Sequence, residues 1–236
     1  RFRDFFSKAP DEVNANVVIW AIPESPAFPA HLHGRQVLII GGTYAGPVER
    51  GEEILPPLRQ FDEPILDMSS PMPYFALQQL FDPFFRKGEH LQYWKAIYLD
   101  GLHDESIDAI LRGCAARPSA RSLLAMWALG GAMARVAADA TPIGDRTAPF
   151  LLEIIGTWHD GADTDRNIAW VRQLFETMHR FSSGKTNLNF SGAGEDNEPF
   201  VRAAFGIHYP RLAAVKQTYD PADMFRLNQN IATSAT

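Results

Sequence analysis

LQYWKAIYL (91–99) and DESIDAILRGCAA (104–116) stand almost end to end, and together they decide the fold of this chain. The first is a run of aromatic and β-branched residues that reads as a strand. The second places Ile107, Ile110, Leu111 and Cys114 on one helical face, with acids in its first turn and Pro118 beyond its end. Further on, Ser122 to Leu129 and Pro149 to Trp158 read as two more strands. TDRNIAWVRQLFETMHRF (164–181) reads as a helix carrying Ile168, Val171, Leu174, Phe175 and Met178 on one face, and TNLNF (186–190) as a last short strand. Strand, helix, strand, strand, helix, strand is the split βαβ order, which makes an antiparallel sheet with both helices on one face.

Before this core, ANVVIWAI (15–22) and RQVLIIGGTY (35–44) form a hairpin across the long connection PESPAFPAHLHG, and the hairpin widens the sheet. GEEILPPLRQF from Gly51 and PMPYFALQQLF from Pro71 read as short helical pieces. After the core, Val201, Phe205, His208, Leu212 and Val215 recur at helical spacing, and Pro210 forces a break. The expected class is α+β: a large antiparallel sheet with a split βαβ, ferredoxin-like core backed by helices, plus a helical C-terminal segment. Helices cover one face of such a sheet. The other must meet solvent, another domain or a ligand.

Composition narrows the possible partners. The chain has 236 residues, 46% of them hydrophobic and 21% charged, enough to bury a core without covalent staples. A net charge of −6 offers nothing to a phosphate backbone or an anionic membrane, so no nucleic acid and no membrane is expected. No apolar run approaches the about 20 residues that cross a bilayer. Cys114 is the single cysteine, which fits a reducing, cytoplasmic setting. The opening RFRDFFSKAPDEV, without an initiator Met, reads as the middle of a longer protein.

Several familiar motifs fail on inspection. SGKT (183–186) lacks the glycine a phosphate loop needs where His179 stands, and follows a helix rather than a strand, so it reads as a connecting turn. GGTYAG (41–46) and LGGA (129–132) lack the spacing of a dinucleotide loop. His31 and His33 have no further ligands at recognisable spacing, so no metal site is expected. Cys114 sits in an amphipathic helix as a core thiol.

The remaining segments carry a family resemblance. RFRDFFSKAPDEV, PLRQFDEPILDMSSPMPY, YWKAIYL, PSARSLLAMWALGGAMARV, DATPIGDR and the terminal FGIHYPRLAAVKQTYDPADMFRLNQNI resemble, in order, the C-terminal half of bacterial FAD-linked oxidoreductases of the vanillyl-alcohol oxidase superfamily, in the berberine bridge enzyme-like branch. The resemblance implies a substrate-binding domain over 1–192 and, over 193–236, a segment that packs on an N-terminal FAD-binding domain lying upstream of Arg1. It implies an enzyme that oxidises a hydroxyl- or amine-bearing substrate by hydride transfer to FAD, with the cofactor held through that upstream domain. The alternative is a stand-alone ligand-binding or interaction domain. A homo-oligomer is compatible with either.

The resemblance also nominates residues. Asn228 and Asn230, in FRLNQNI, and Asn189, in NLNF, are implied to sit beside the flavin. Asn187 stands where the family motif has a tyrosine that handles the substrate proton. An amide cannot serve as a base at neutral pH, so Asn187 is expected to position substrate and the catalytic group is left unassigned. Asp145 in DATPIGDR stands where plant members have a histidine. Tyr74, Trp94, Lys95 and Tyr98 are the remaining candidates for lining a substrate pocket.

Overall fold

The computed structural model describes residues 1–60, 62–143, 145–192, 198–227 and 229–232. A short helix α1 (Phe2–Phe6) leads into the hairpin β1 (Val13–Ala21) and β2 (Gln36–Tyr44), followed by α2 (Val48–Ile54), α3 (Pro56–Arg59) and α4 (Tyr74–Gln79). The core then runs β3 (Leu91–Leu99), α5 (Asp104–Ala115), β4 (Leu123–Ala128), a single turn α6 (Gly131–Ala134), β5 (Phe150–Trp158), α7 (Thr164–His179) and β6 (Ser182–Thr186). Helices α8 (Glu198–Phe205) and α9 (Tyr209–Tyr219) close the described chain.

The strands form one sheet in the order β2-β1-β4-β5-β3-β6, with every neighbouring pair antiparallel. The four strands from β4 to β6 are the expected split βαβ core, and the hairpin extends it by pairing β1 with β4. β5 is central and buried at all nine of its residues. Such a strand reads as a continuous apolar run, and PFLLEIIGTW is one except at Glu153 and Thr157.

Helices α5 and α7 cover one face. Ile97, Leu99, Leu124, Leu152 and Ile154 from the sheet pack with Ile110, Cys114, Val171, Leu174 and Met178 from the helices. Trp170 fixes the two helices to each other by donating from Nε1 to the carbonyl of Gly113 at 2.8 Å. A Cβ on Gly113 would lie 2.4 Å from Leu174 Cδ1, so glycine is what lets the helices approach. The buried stripe of α5 is Ser106, Ala109, Ile110 and Cys114, while Leu111 is 52% exposed. The expected face was therefore rotated. Periodicity weights the large residues, whereas close helix packing selects the small ones, Ser106, Ala109 and Gly113.

Two further expectations shift. The last strand is Ser182–Thr186, so SGKT is strand rather than turn, and Leu188–Phe190 is one turn of 3-10 helix instead of a strand. The Asn187 side chain causes the change: its Oδ1 accepts the N–H of Asn189 at 3.0 Å and starts the helical turn. In the C-terminal segment the break falls at Gly206–His208, with Gly206 at φ +51°, and Pro210 sits in the first turn of α9, where its missing N–H is harmless.

Candidate active site

The second face of the sheet carries the unusual chemistry. Two apolar clusters lie on it. One joins Trp20, Leu123, Ala125 and Ile155, with Trp94 and Phe84 packed against them. The other joins Ala96, Tyr98, Ala148 and Leu151, with Trp127, Leu129 and Phe190. Along β5, Ile155 belongs to the first cluster and Leu151 to the second, so Glu153, 6% exposed, falls between them.

Strand register sets what surrounds this carboxylate. Directly opposite Glu153 are Ala96 on β3 and Ala125 on β4. Trp94 and Tyr98 stand two residues to either side of Ala96, and Trp127 two residues beyond Ala125, all within diagonal reach across the pleat. Small residues thus stand beside the carboxylate and rings at the corners, so that the face dips at Glu153. Burial pushes the Glu153 pKa up, and the nearby Trp127 indole partly offsets the rise. Trp127 Nε1 is buried, and among the described residues no partner meets hydrogen-bond geometry with it. A raised carboxyl pKa in an aromatic recess is the arrangement that suits a general base near neutral pH.

Tyr98 is 6% exposed, and burial followed by the charge of Asp145 pushes its phenol pKa up. Asp145 is itself buried. Burial works against its ionisation, but hydrogen bonds from the Thr147 N–H (2.8 Å) and hydroxyl (2.9 Å), Lys185 Nζ at 3.5 Å and the Ala148 N–H hold its pKa down. Trp94 stacks on Phe190 and meets Phe85 edge-on at 5.9 Å.

The structure brings Trp94 and Tyr98 together on this face, with Asn187 and Asn189 in the turn that carries Phe190 over β3. It does not bring Lys95 with them. Strand alternation sends Lys95 to the helix-covered face, where its ammonium lies 3.9 Å from the centre of the Phe175 ring. Tyr74 begins α4 at 73% exposure and makes no hydrogen bond or ring contact with the site residues. Asn189 is exposed.

Asn228 lies outside the described residues. Asn230 donates from Nδ2 to both carboxylate oxygens of Asp223, at 3.0 and 3.1 Å. It belongs to a clasp centred on Lys216, whose Nζ reaches Asp220 at 2.6 Å, Asp223 at 2.9 Å and the Phe225 carbonyl at 2.6 Å. Gln229, between the two asparagines, donates to the Leu188 carbonyl at 3.1 Å and the Ser191 hydroxyl at 2.8 Å, tying the tail to the turn beside the site.

A flavin would find part of its needs here. The buried unsatisfied N–H of Trp127, the recess at Glu153 and the exposed rim of Tyr219, Met224, Phe225 and Leu227 suit the substrate side of a ring system and a covering surface. Among the described residues no glycine-rich loop leads into a helix with a basic residue, so the pyrophosphate would have to be held elsewhere.

Residues 186–232 match the family model for berberine and berberine-like proteins. The chain is similar to the FAD-linked oxidoreductase YgaK of Bacillus subtilis, with 26% identity over 191 residues, 80% of this chain and 42% of that protein. It is 26% identical over 125 residues to a monolignol oxidoreductase of Arabidopsis thaliana, covering 48% of this chain and 23% of the relative. The solved structure of the berberine bridge enzyme-like protein 28 of Arabidopsis thaliana superposes with a TM-score of 0.77 at 19% identity, over 98% of this chain and 52% of that one. The chain spans about half the length of the proteins it matches. Through residues 186–232 and through these relatives, the chain is similar to berberine bridge enzyme-like FAD-linked oxidoreductases, and its fold is that of their C-terminal half.

Proposed function

We propose that this chain is the substrate side of an FAD-dependent oxidase or dehydrogenase acting on a hydroxyl- or amine-bearing organic molecule. Residues 1–192 form the substrate-binding domain, and 193–236 return to an FAD-binding domain carried by the complete protein. The observation that carries this reading is the buried Glu153, set between Ala96 and Ala125 in an otherwise apolar aromatic face.

FAD, when bound, supplies the acceptor for a hydride. The chain's own residues do the rest. Glu153 accepts the proton of the hydroxyl or amine at a carboxylate oxygen, Trp94, Tyr98 and Trp127 exclude water and orient the substrate, and the Asn187 turn closes one side. Asn187 has its oxygen committed to Asn189, leaving the amide NH2 as the group it can offer.

The longest reading frame containing this chain tests the proposal. The purified product should carry flavin, and a panel of alcohols and amines should include one that bleaches it. Glu153→Gln should slow that bleaching by about 10² to 10⁴-fold with flavin content unchanged. A product without flavin, or an undiminished Glu153→Gln rate, would refute it.

A further inference from the structure

Among the described residues Glu153 has no cation: no salt bridge joins it, and the Trp127 indole is the one polar group that eases its charge. Three basic residues on or beside the core strands are engaged elsewhere: Lys95 over Phe175 on the far side of the sheet, Lys185 against Asp145, and Arg146 on the Met133 carbonyl and the Thr141 hydroxyl. A carboxylate in such surroundings is normally paired, because the loss of water is not otherwise compensated. Here the direct neighbours are Ala96 and Ala125, too small to reach it, and the corners hold Trp94, Trp127 and Tyr98. Rings around an unpaired carboxylate favour a positive charge twice over, by the carboxylate itself and by the ring faces. At one corner Trp94 is backed by Phe190, the two rings stacked within 6° of parallel.

From this recess we infer the substrate class: an amine, bound as its ammonium ion and carried next to a flat ring, with the nitrogen paired to Glu153. The inference rests on reading this face as the substrate site and narrows the class given above. A neutral alcohol brings no counter-charge to the buried carboxylate, so nothing offsets the loss of water around its charge. An ammonium ion supplies that counter-charge and favours the ionised carboxylate, the form that can accept a proton. One N–H bond of the ammonium then breaks as an O–H bond forms at Glu153. The bonding pair stays on nitrogen and the substrate becomes a neutral amine. No electrons are exchanged in this step. The other titratable groups about the face are Tyr98 and, behind it, Asp145 with Lys185.

2-Phenylethylamine and its neutral counterpart 2-phenylethanol separate the two classes on the chain itself, because Trp94 and Trp127 report binding by fluorescence. The amine should quench saturably and bind at least tenfold more tightly than the alcohol. Glu153→Gln should abolish the tenfold preference, while Lys95→Met, on the opposite face, should keep it. Equal affinities, a preference that survives Glu153→Gln, or failure of the amine to bind would each overturn the inference. Equal affinities with quenching lost in Trp94→Leu would do so while leaving this face as the substrate site.

Discussion

Trp94 and Phe190 lie almost parallel, with 6° between their planes and 5.7 Å between their centroids. The stack joins a central part of the sheet to the turn that opens the segment matched by the family model. Trp94 belongs to the site by strand alternation, and Phe190 is delivered to it by the Asn187 turn, so one ring pair couples the scaffold to its covering loop. Phe190→Ala removes a half-exposed ring and its stacking partner. A loss of about 1 to 3 kcal/mol in denaturant unfolding is expected, with a red shift of tryptophan emission. An unchanged midpoint and spectrum would mean that the loop is held by other contacts, chiefly those of Gln229.

Asn187 has a structural duty that any kinetic effect must be separated from. Asn187→Ala deletes the acceptor for Asn189 N–H and should cost about 1 kcal/mol, while Asn187→Asp keeps the acceptor and should retain the fold. In the flavin-loaded protein, Asn187→Ala should raise KM and lower kcat without removing an ionisation from the pH–rate profile. Loss of a pKa would show that Asn187 supports the base itself, and unchanged constants would leave it with no part in the reaction.

The sheet and its two covering helices were legible because long periodic segments state their own class: β3 and β5 fall within a residue of the strands read from LQYWKAIYL and the run to Trp158. The site was less so. Strand alternation should have separated Lys95 from Trp94 and Tyr98 on sequence grounds alone, since odd and even positions face apart. Glu153 had a signal too, a lone acid inside a nine-residue buried strand, but its meaning depends on Ala96 and Ala125, which lie 57 and 28 positions away in the chain. Asn230 could not be assigned from its motif, because its partner Asp223 is brought back only by a turn at φ +52°.

The exposed rim gives a prediction about association. Tyr219, Met224, Phe225 and Leu227 are 83%, 78%, 81% and 85% exposed, a concentration of apolar surface that soluble monomers rarely leave open. The purified 236-residue chain should therefore self-associate with rising concentration and be colourless, since a ring-side surface alone cannot offset the cost of immobilising so large a ligand. Light scattering that finds a strict monomer at high concentration would contradict the first expectation, and stoichiometric flavin absorbance the second.

The rim is held in place by the Lys216 clasp, and its pH dependence follows from the signs of three shifts. Hydrogen bonds from Lys216 hold the Asp220 and Asp223 pKa values down, and the same contacts push that of Lys216 up. Depressed carboxyl values stabilise the folded hairpin above the ordinary carboxylate range, and the contribution is lost as pH falls through their folded values. A raised lysine value stabilises below the ordinary lysine range, and is lost as pH rises through its folded value. The clasp should thus hold from about pH 4 to about pH 10 and loosen on both sides. Asp220 also accepts the N–H groups of Met224 (2.8 Å) and Phe225 (3.0 Å), so hydrogen exchange at these two amides reads the clasp directly. At neutral pH, Lys216→Met should speed exchange over residues 220–227 while leaving β5 protected, because the clasp's hydrogen bonds and ion pairs join residues 216 to 230 to one another. Asn230→Ala, which removes only the outer donor to Asp223, should do the same more weakly. Unaltered protection in Lys216→Met would mean that the hairpin is held by its backbone alone, and that the rim does not depend on these charges.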